Sequence, residues 1–201
     1  MIKKLKNRKL IEIGQRVLDR EAKALSSLSV SLNESFSSAV ALILSSSGRV
    51  IVSGMGKSGH IARKIAATMA STGTPAHFVH PAEASHGDLG MIVKGDIVII
   101  LSNSGETPEL ANLIAYSKKC KIPMIGIAQN HQSTLLRKTD ISIVLPVAEE
   151  ACESGIVPTT STTMTLALGD ALSIALMETK KFTNNNFREF HPGGKLGVQL
   201  S

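Results

Sequence analysis

Residues 49–71 read RVIVSGMGKSGHIARKIAATMAS: a β-branched run, a glycine-rich turn and a stretch with helical patterning. A strand that passes through a tight turn into a helix is the repeating unit of a parallel sheet. The unit recurs downstream. AHFV (76–79), DIVIIL (96–101), PMIGIA (123–128) and ISIVL (141–145) are further short apolar runs bounded by Gly, Pro or polar residues. Helical patterns lie between most of them, in TPELANLIAYSKKC and in a short piece around STLLRK. Continuous apolar strands alternating with helices predict an α/β fold, a three-layer αβα sandwich around a five-stranded parallel sheet of the flavodoxin-like or Rossmann-like kind.

Outward from this frame, Leu10, Ile11, Ile13, Val17, Leu18, Leu25, Leu28, Val30 and Leu32 recur at helical spacing. They predict two helices broken within SSLSVSLNES (26–35), with residues 1–45 packing on the sheet and Ser46-Ser47-Gly48 ending the helical section. After the fifth strand a polar loop leads to a long helix from about Thr160 to Thr179, then an Asn-rich loop and the turn HPGGKLG (191–197). No linker or repeat interrupts the chain, so residues 1–201 are expected to form a single domain.

Composition narrows the function classes. Hydrophobic residues make up 43% and charged residues 19%, a globular balance. Aromatics are 3%, with no Trp and one Tyr, which argues against ring-based platforms for carbohydrate or single-stranded nucleic acid. Cys120 and Cys152 form no CxxC pair, and the start MIKKLKNRKL has no apolar stretch or cleavage site behind it. A cytoplasmic protein is expected. The formal net charge of +6 is nearly supplied by Lys3, Lys4, Lys6, Arg8 and Lys9. That cluster reads as a solvated helix start rather than a nucleic-acid or membrane arm, so neither partner is expected. TMTLALGDALSIALME (163–178) is broken by Asp170 and too short to span a bilayer, and it reads as a buried helix.

Two strand-to-helix junctions carry chemistry, since ligands of open parallel sheets bind beyond the carboxyl ends of strands. The first is Ser53-Gly54-Met55-Gly56-Lys57-Ser58-Gly59. It satisfies GxGxxG, and its GKS looks like the end of a P-loop. A Walker A loop needs a further Gly where this chain has Ile51, and a dinucleotide site needs an acid where the second strand ends in Val79-His80-Pro81. A tight turn that merely packs helix on strand is the alternative reading of the glycines. The second junction, Ser102-Asn103-Ser104-Gly105-Glu106-Thr107, is the stronger signal. Hydroxyls and an amide gather at a helix N-terminus, where free N–H groups and the helix dipole favour an anion. Thr107-Pro108 is also an ordinary cap, but capping leaves Ser102, Asn103 and Ser104 unexplained. Neutral donors suit a phosphate monoester, and no acid for Mg²⁺ and a nucleoside triphosphate is evident.

SGMGKSG after one strand and SNSGET after another resemble the sugar isomerase (SIS) domain. VHPAEASHGDLGM (79–91), PVAEEACESGIVPTTSTT (146–163) and FHPGGKLG (190–197) narrow the resemblance to the arabinose-5-phosphate isomerases that feed synthesis of 3-deoxy-D-manno-octulosonate, a sugar of lipopolysaccharide and some capsules. It covers nearly the whole chain, although many members carry a pair of CBS domains after the isomerase domain.

The resemblance implies an aldose–ketose isomerase that needs no cofactor. Moving a carbonyl between two carbons takes a base for the carbon-bound proton and help for the enediolate. Lys57, Glu109, Glu150 and His191 match catalytic positions. Glu150 is the preferred base, with Glu149 beside it as an alternative; Lys57 would steady the enediolate and phosphate. Ser53, Gly54, Ser58, Gly73, Thr74, His80, His86, Ser102, Asn103, Ser104 and Thr107 are the substrate-binding candidates, and His80 could also take an adventitious zinc. His191 would work in a neighbouring subunit's site, which implies a homo-oligomer, specifically a tetramer. His60, His77 and His131 are expected to be structural. Ala at Glu150 or His191 should remove most turnover and leave the fold intact. Alternatives are another SIS sugar-phosphate isomerase, or a sugar-phosphate sensor, which would need a DNA-binding domain for which the first 45 residues have no room.

Overall fold

The computed structural model describes the backbone of residues 2–191 and the side chains of residues 7–191. Pro192–Gly197 of the FHPGGKLG stretch, and the Lys3, Lys4 and Lys6 side chains, lie outside the described residues. Helix α1 (Ile2–Ser31) and helix α2 (Glu34–Ser45) meet at Leu32-Asn33, inside the Ser-rich stretch. Asn33 ends the ambiguity there: its side chain accepts from the Ser35 N–H at 2.9 Å and starts α2. Exposed Arg8, near the start of α1, pairs with Glu12 one turn on at 3.3 Å.

The strands are β1 (Val50–Gly54), β2 (Ala76–Phe78), β3 (Ile97–Leu101), β4 (Met124–Ala128) and β5 (Ile141–Val144). They form one parallel sheet in the order β2-β1-β3-β4-β5, with Gly54 opposite Leu101 and Ile127 opposite Ile143. The intervening helices are α3 (Gly56–Ser71), α4 (Pro81–Ala84), α5 (Ala111–Lys119), α6 (Thr134–Lys138), α7 (Thr160–Thr179) and α8 (Asn184–Phe190).

Strand alternation divides the core into two layers. Val50, Val52, Ile97, Ile99, Leu101 and Ile125 face α1, α2, α3 and α7, where Leu28, Ile43, Met69 and Leu168 meet them. Ile51, Val98, Ile100 and Met124 face α5 and α6 through Leu113, Ile114 and Leu135. Both faces are covered, which is why the strands read as unbroken apolar runs. Within α7, Gly169 sits where the Ile65 side chain of α3 presses in, so any Cβ there would collide with it. Asp170, beside it, turns outward and pairs with Lys64. Among the described residues no single helix is long and apolar enough to cross a membrane.

α7 starts at the carboxyl end of the sheet and, at about 1.5 Å per residue, its 20 residues carry the chain some 30 Å to the opposite end. There Lys180 Nζ donates to Gly73 O (3.1 Å) and Thr74 Oγ1 (2.9 Å), and the Phe182 ring lies on the face of Gly73.

Candidate active site

The order β2-β1-β3 reverses direction at β1, and the loops after β1 and β3 flank that switch point. Because Gly54 pairs with Leu101, the two loops leave the sheet side by side. Glycine is required in the first by close approach: a Cβ on Gly59 would lie 2.6 Å from Gly54 O, and one on Gly54 would lie 3.0 Å from the Ser58 backbone. The turn therefore packs α3 end-on against β1, as the structural alternative for GxGxxG anticipates. It also leaves α3 starting at Met55 with no side-chain cap and no acid in its first turn, beside the exposed Lys57. Uncapped N–H groups and an ammonium in one place attract an anion. Ser53 plays a different part from the one expected. It is fully buried and its hydroxyl donates to Val79 O at 2.7 Å, pinning β1 to the end of β2.

The second loop is pre-formed by its own hydroxyls. Ser102 Oγ lies 2.7 Å from Thr107 Oγ1 and accepts from the Gly105 N–H at 3.1 Å, while Ser104 Oγ accepts from the Glu106 N–H. Gly105 has φ +72°, and a Cβ on it would collide with Ser133. Ser104 is exposed and Thr107 half-buried; Ser102 is buried beneath them. Glu106 turns away, accepts from the Thr134 N–H at 2.8 Å, and that bond lowers its pKa. The chain then enters a short 3₁₀ turn, Pro108–Leu110, which carries the exposed Glu109, before α5 begins.

Glu150 sits between β5 and α7. One carboxylate oxygen accepts from Thr159 N (2.7 Å), Thr159 Oγ1 (3.2 Å) and Ser161 N (3.2 Å), and the other accepts from the Ser161 hydroxyl. Burial raises its pKa, but these four donors outweigh burial and hold it below the usual carboxylate value. Thus Glu150 caps the long helix α7, and its replacement by Ala costs stability as well as any turnover. The Glu149 side chain is 85% exposed and lies 3.5 Å from Arg20.

A cavity of about 500 Å³ opens here, lined by Asn103 after β3, Gln129 after β4, and Glu150 and Cys152 after β5, with Arg20 of α1 on its wall. The Asn103 side-chain oxygen is buried with no hydrogen-bond partner among the described residues.

His80 caps α4: its Nδ1 accepts from the Ala82 N–H at 3.3 Å, so the neutral ring carries its proton on Nε2 as a donor. His86 follows in an exposed turn. Ser58 is half-buried in the first turn of α3. His60 and His131 are exposed; His77 is half-buried, and its Nε2 is buried without a partner among the described residues. Gly73, Thr74 and His191 are not brought to this end within one chain. The first two meet Phe182 and Lys180 at the opposite end of the sheet, and His191 closes α8, stacked on Phe187 at 4.0 Å with Nδ1 2.8 Å from Phe187 O. Among the described residues no group of three His, Cys, Asp or Glu side chains converges to hold a metal ion, at His80 or elsewhere.

Sequence reasoning missed Arg20, Gln129 and Cys152. The only signal lay in PTTSTT (158–163), whose clustered hydroxyls announce a helix start; nothing in spacing announces that an acid nine residues upstream supplies the cap.

The SIS domain family matches residues 43–175. The arabinose 5-phosphate isomerase KdsD of Yersinia pestis is 52% identical over 189 residues, covering 94% of this chain and 58% of that protein. The enzyme of the same name from Pseudomonas aeruginosa is 49% identical over 194 residues, covering 96% and 60%. The chain thus spans about three fifths of the length of these curated relatives. Among solved structures, E. coli CFT073 c3406 in complex with arabinose 5-phosphate superposes with a TM-score of 0.90 at 44% identity, covering 92% of this chain and 99% of that one.

Proposed function

The chain belongs to the SIS domain family, and we propose that it is an aldose–ketose isomerase interconverting D-arabinose 5-phosphate and D-ribulose 5-phosphate. The observation that carries the reading is the 44% identity, over 99% of its length, with a protein solved in complex with arabinose 5-phosphate. The reading is supported by what gathers at one end of the sheet: two loops at helix starts, the exposed Lys57 and the Glu150 carboxylate.

In this reading the phosphate rests on the Ser102–Thr107 loop and the start of α3. Glu150 removes the proton from C2 of the aldose, the electrons move into a C1–C2 enediolate, and the proton returns to C1 of the ketose. Lys57 offsets the negative charge as it develops on oxygen. Glu150 is ionised and so able to accept the proton; loss of one of its four donors on substrate binding would bring its pKa nearer the working pH. Glu109 and His86 border the same end and shuttle protons between the sugar oxygens. His191 serves a neighbouring copy in a homotetramer, because α7 carries it away from its own loops. The product supplies 3-deoxy-D-manno-octulosonate synthesis in the cytoplasm, and the reaction uses no cofactor.

The test is an NMR or coupled assay of the purified chain with D-arabinose 5-phosphate. Ribulose 5-phosphate formed at enzymic rates supports the assignment. Binding without turnover would move it to a sensor or to a different sugar phosphate, and neither binding nor turnover would end it.

A further inference from the structure

Residues 145–159 join β5 to α7 without regular secondary structure, yet they carry Glu150. A catalytic group on an irregular segment needs rigid support. At the carboxylate, α7 supplies it. At the backbone, the support comes from α1: Arg20 Nη1 donates to Glu150 O at 2.8 Å, and Nη2 lies 3.5 Å from Glu149 Oε2. One turn earlier, on the same face of α1, Arg16 Nη1 reaches Glu153 Oε1 at 3.3 Å. The other side-chain tie near the start of the segment is longer, Gln129 Nε2 to Pro146 O at 3.4 Å.

We infer that Arg20 is a positioning residue: it clips the Glu150 backbone to α1 and so sets where the carboxylate stands relative to the Ser102–Thr107 loop. The inference rests on the isomerase reading only for the claim that Glu150 acts on substrate; the clip itself is a matter of geometry. A residue held at its carbonyl by one element and at its carboxylate by another cannot swing as a unit, so Glu150 can give up a donor to substrate without losing its place. The planar guanidinium fork donates to the Glu150 carbonyl with one arm while the other stands 3.5 Å from the Glu149 carboxylate, which a lysine ammonium on its flexible stem cannot match. Arg20 is half-buried on the wall of the cavity, where its stem packs while its head stays bonded. Helix α1 thereby acquires a task beyond covering the sheet.

Cys152 reports on the same segment independently of turnover. Its sulfur lies 3.3 Å from Ser154 Oγ and accepts from the Val157 N–H at 3.2 Å, contacts set by the backbone path of residues 152–157 that follows Glu150. The Ser154 hydroxyl foremost, then the Val157 N–H, lower the thiol to about 7. Cys120 is the second cysteine, so a Cys120→Ser parent leaves one thiol to follow.

In that parent, Arg20→Met and Arg20→Lys would be compared by kcat, KM and the pH profile of thiol reaction with a disulfide reagent. Arg20→Met is expected to lower kcat about tenfold, the equivalent of one charged hydrogen bond, with KM for the pentose phosphate changed by less than about twofold. The Cys152 profile should move up toward about 8.5, the ordinary thiol value. Arg20→Lys should recover part of both. A simple loss of stability would change neither the thiol profile of the folded protein nor kcat per folded molecule. An unmoved thiol profile overturns the inference, even if kcat falls, because Arg20 would then act on substrate directly. If the parent does not turn over the pentose phosphate, the isomerase reading fails by itself. The thiol profile still decides the clip, a shift supporting it and no shift overturning it.

Discussion

Removing the Glu150 carboxylate should weaken the protein and the reaction by separable amounts. The carboxylate takes four donors at the start of a 20-residue helix whose own N-cap residue, Thr159, makes no capping bond with its side chain. Loss of such a cap costs about 1–2 kcal/mol, and loss of a negative charge at a helix N-terminus about 0.3–1 kcal/mol more. Glu150→Ala should therefore lose about 2 kcal/mol, which in a chain of this length lowers Tm by roughly 4–8 °C. Glu150→Gln keeps an acceptor and loses only the charge, so about 1–4 °C is expected. The folded-state pKa is depressed below the ordinary 4.5, so the stabilisation is complete above that value and is lost as pH falls through the lower folded one. The Tm gap between wild type and Glu150→Gln should thus be constant near neutrality and close progressively below about pH 4.5. Calorimetry across pH measures this directly. An Ala variant that melts within 1 °C of wild type near neutrality, or a Gln gap that persists at acid pH, would refute the capping argument. Turnover is the second readout: a general base is worth about 10²–10⁴, so Glu150→Gln should lose at least a hundredfold in kcat, and full activity would pass the role to Glu109 or His86.

Lys57→Gln removes an exposed charge, so Tm should stay within about 2 °C while kcat falls at least tenfold; an unaltered kcat would remove Lys57 from the chemistry. Gly105→Ala forces an L-residue into φ +72° and into Ser133, and should cost at least about 2 kcal/mol and weaken inhibition by inorganic phosphate, read by thermal unfolding and competition. Mixing Lys57→Gln with His191→Ala chains should restore about a quarter of wild-type activity if each site draws its loops from one copy and His191 from another; no recovery in verified mixed assemblies would place His191 outside the reaction.

The elements were legible because both faces of the sheet are covered. Each strand shows as a continuous apolar run, and the turns after β1 and β3 carry glycines or hydroxyls that local geometry demands. The helix from Thr160 to Thr179 was legible from its length and apolarity, although Asp170 interrupts it, because that acid needs only one outward partner, Lys64. What local pattern could not reveal is which side chains are consumed by the fold. Ser53 looks like a ligand contact in SGMGKSG, yet its hydroxyl is spent on Val79 O, 26 residues away in sequence. Glu150 looks like an exposed loop acid, yet it is bound to a helix start nine residues on. Arg20 carried no signal at all, since its partner lies 130 residues distant.

The same distinction bears on the residues that stand apart. Gly73 and Thr74 look like a loop before a strand, and in a parallel sheet that location is the amino end, the wrong end for a ligand held at helix N-termini. Here the turn between α7 and α8 covers them: Phe182 occupies the face that Gly73 leaves open, and Lys180 binds Thr74 at a pKa lowered by burial. α8 follows directly, with His191 at its end. Three expected site residues therefore share one end of the molecule, and the loops after β1 and β3 share the other, about 30 Å away along α7. A single chain cannot fold them together without unwinding a helix whose inner face, from Met164 to Leu176, is buried in the core. Either these residues serve only to anchor α8, or they meet the loops of another copy; the mixing experiment separates the two, because anchoring is a property of each chain alone and cannot be restored by a neighbour.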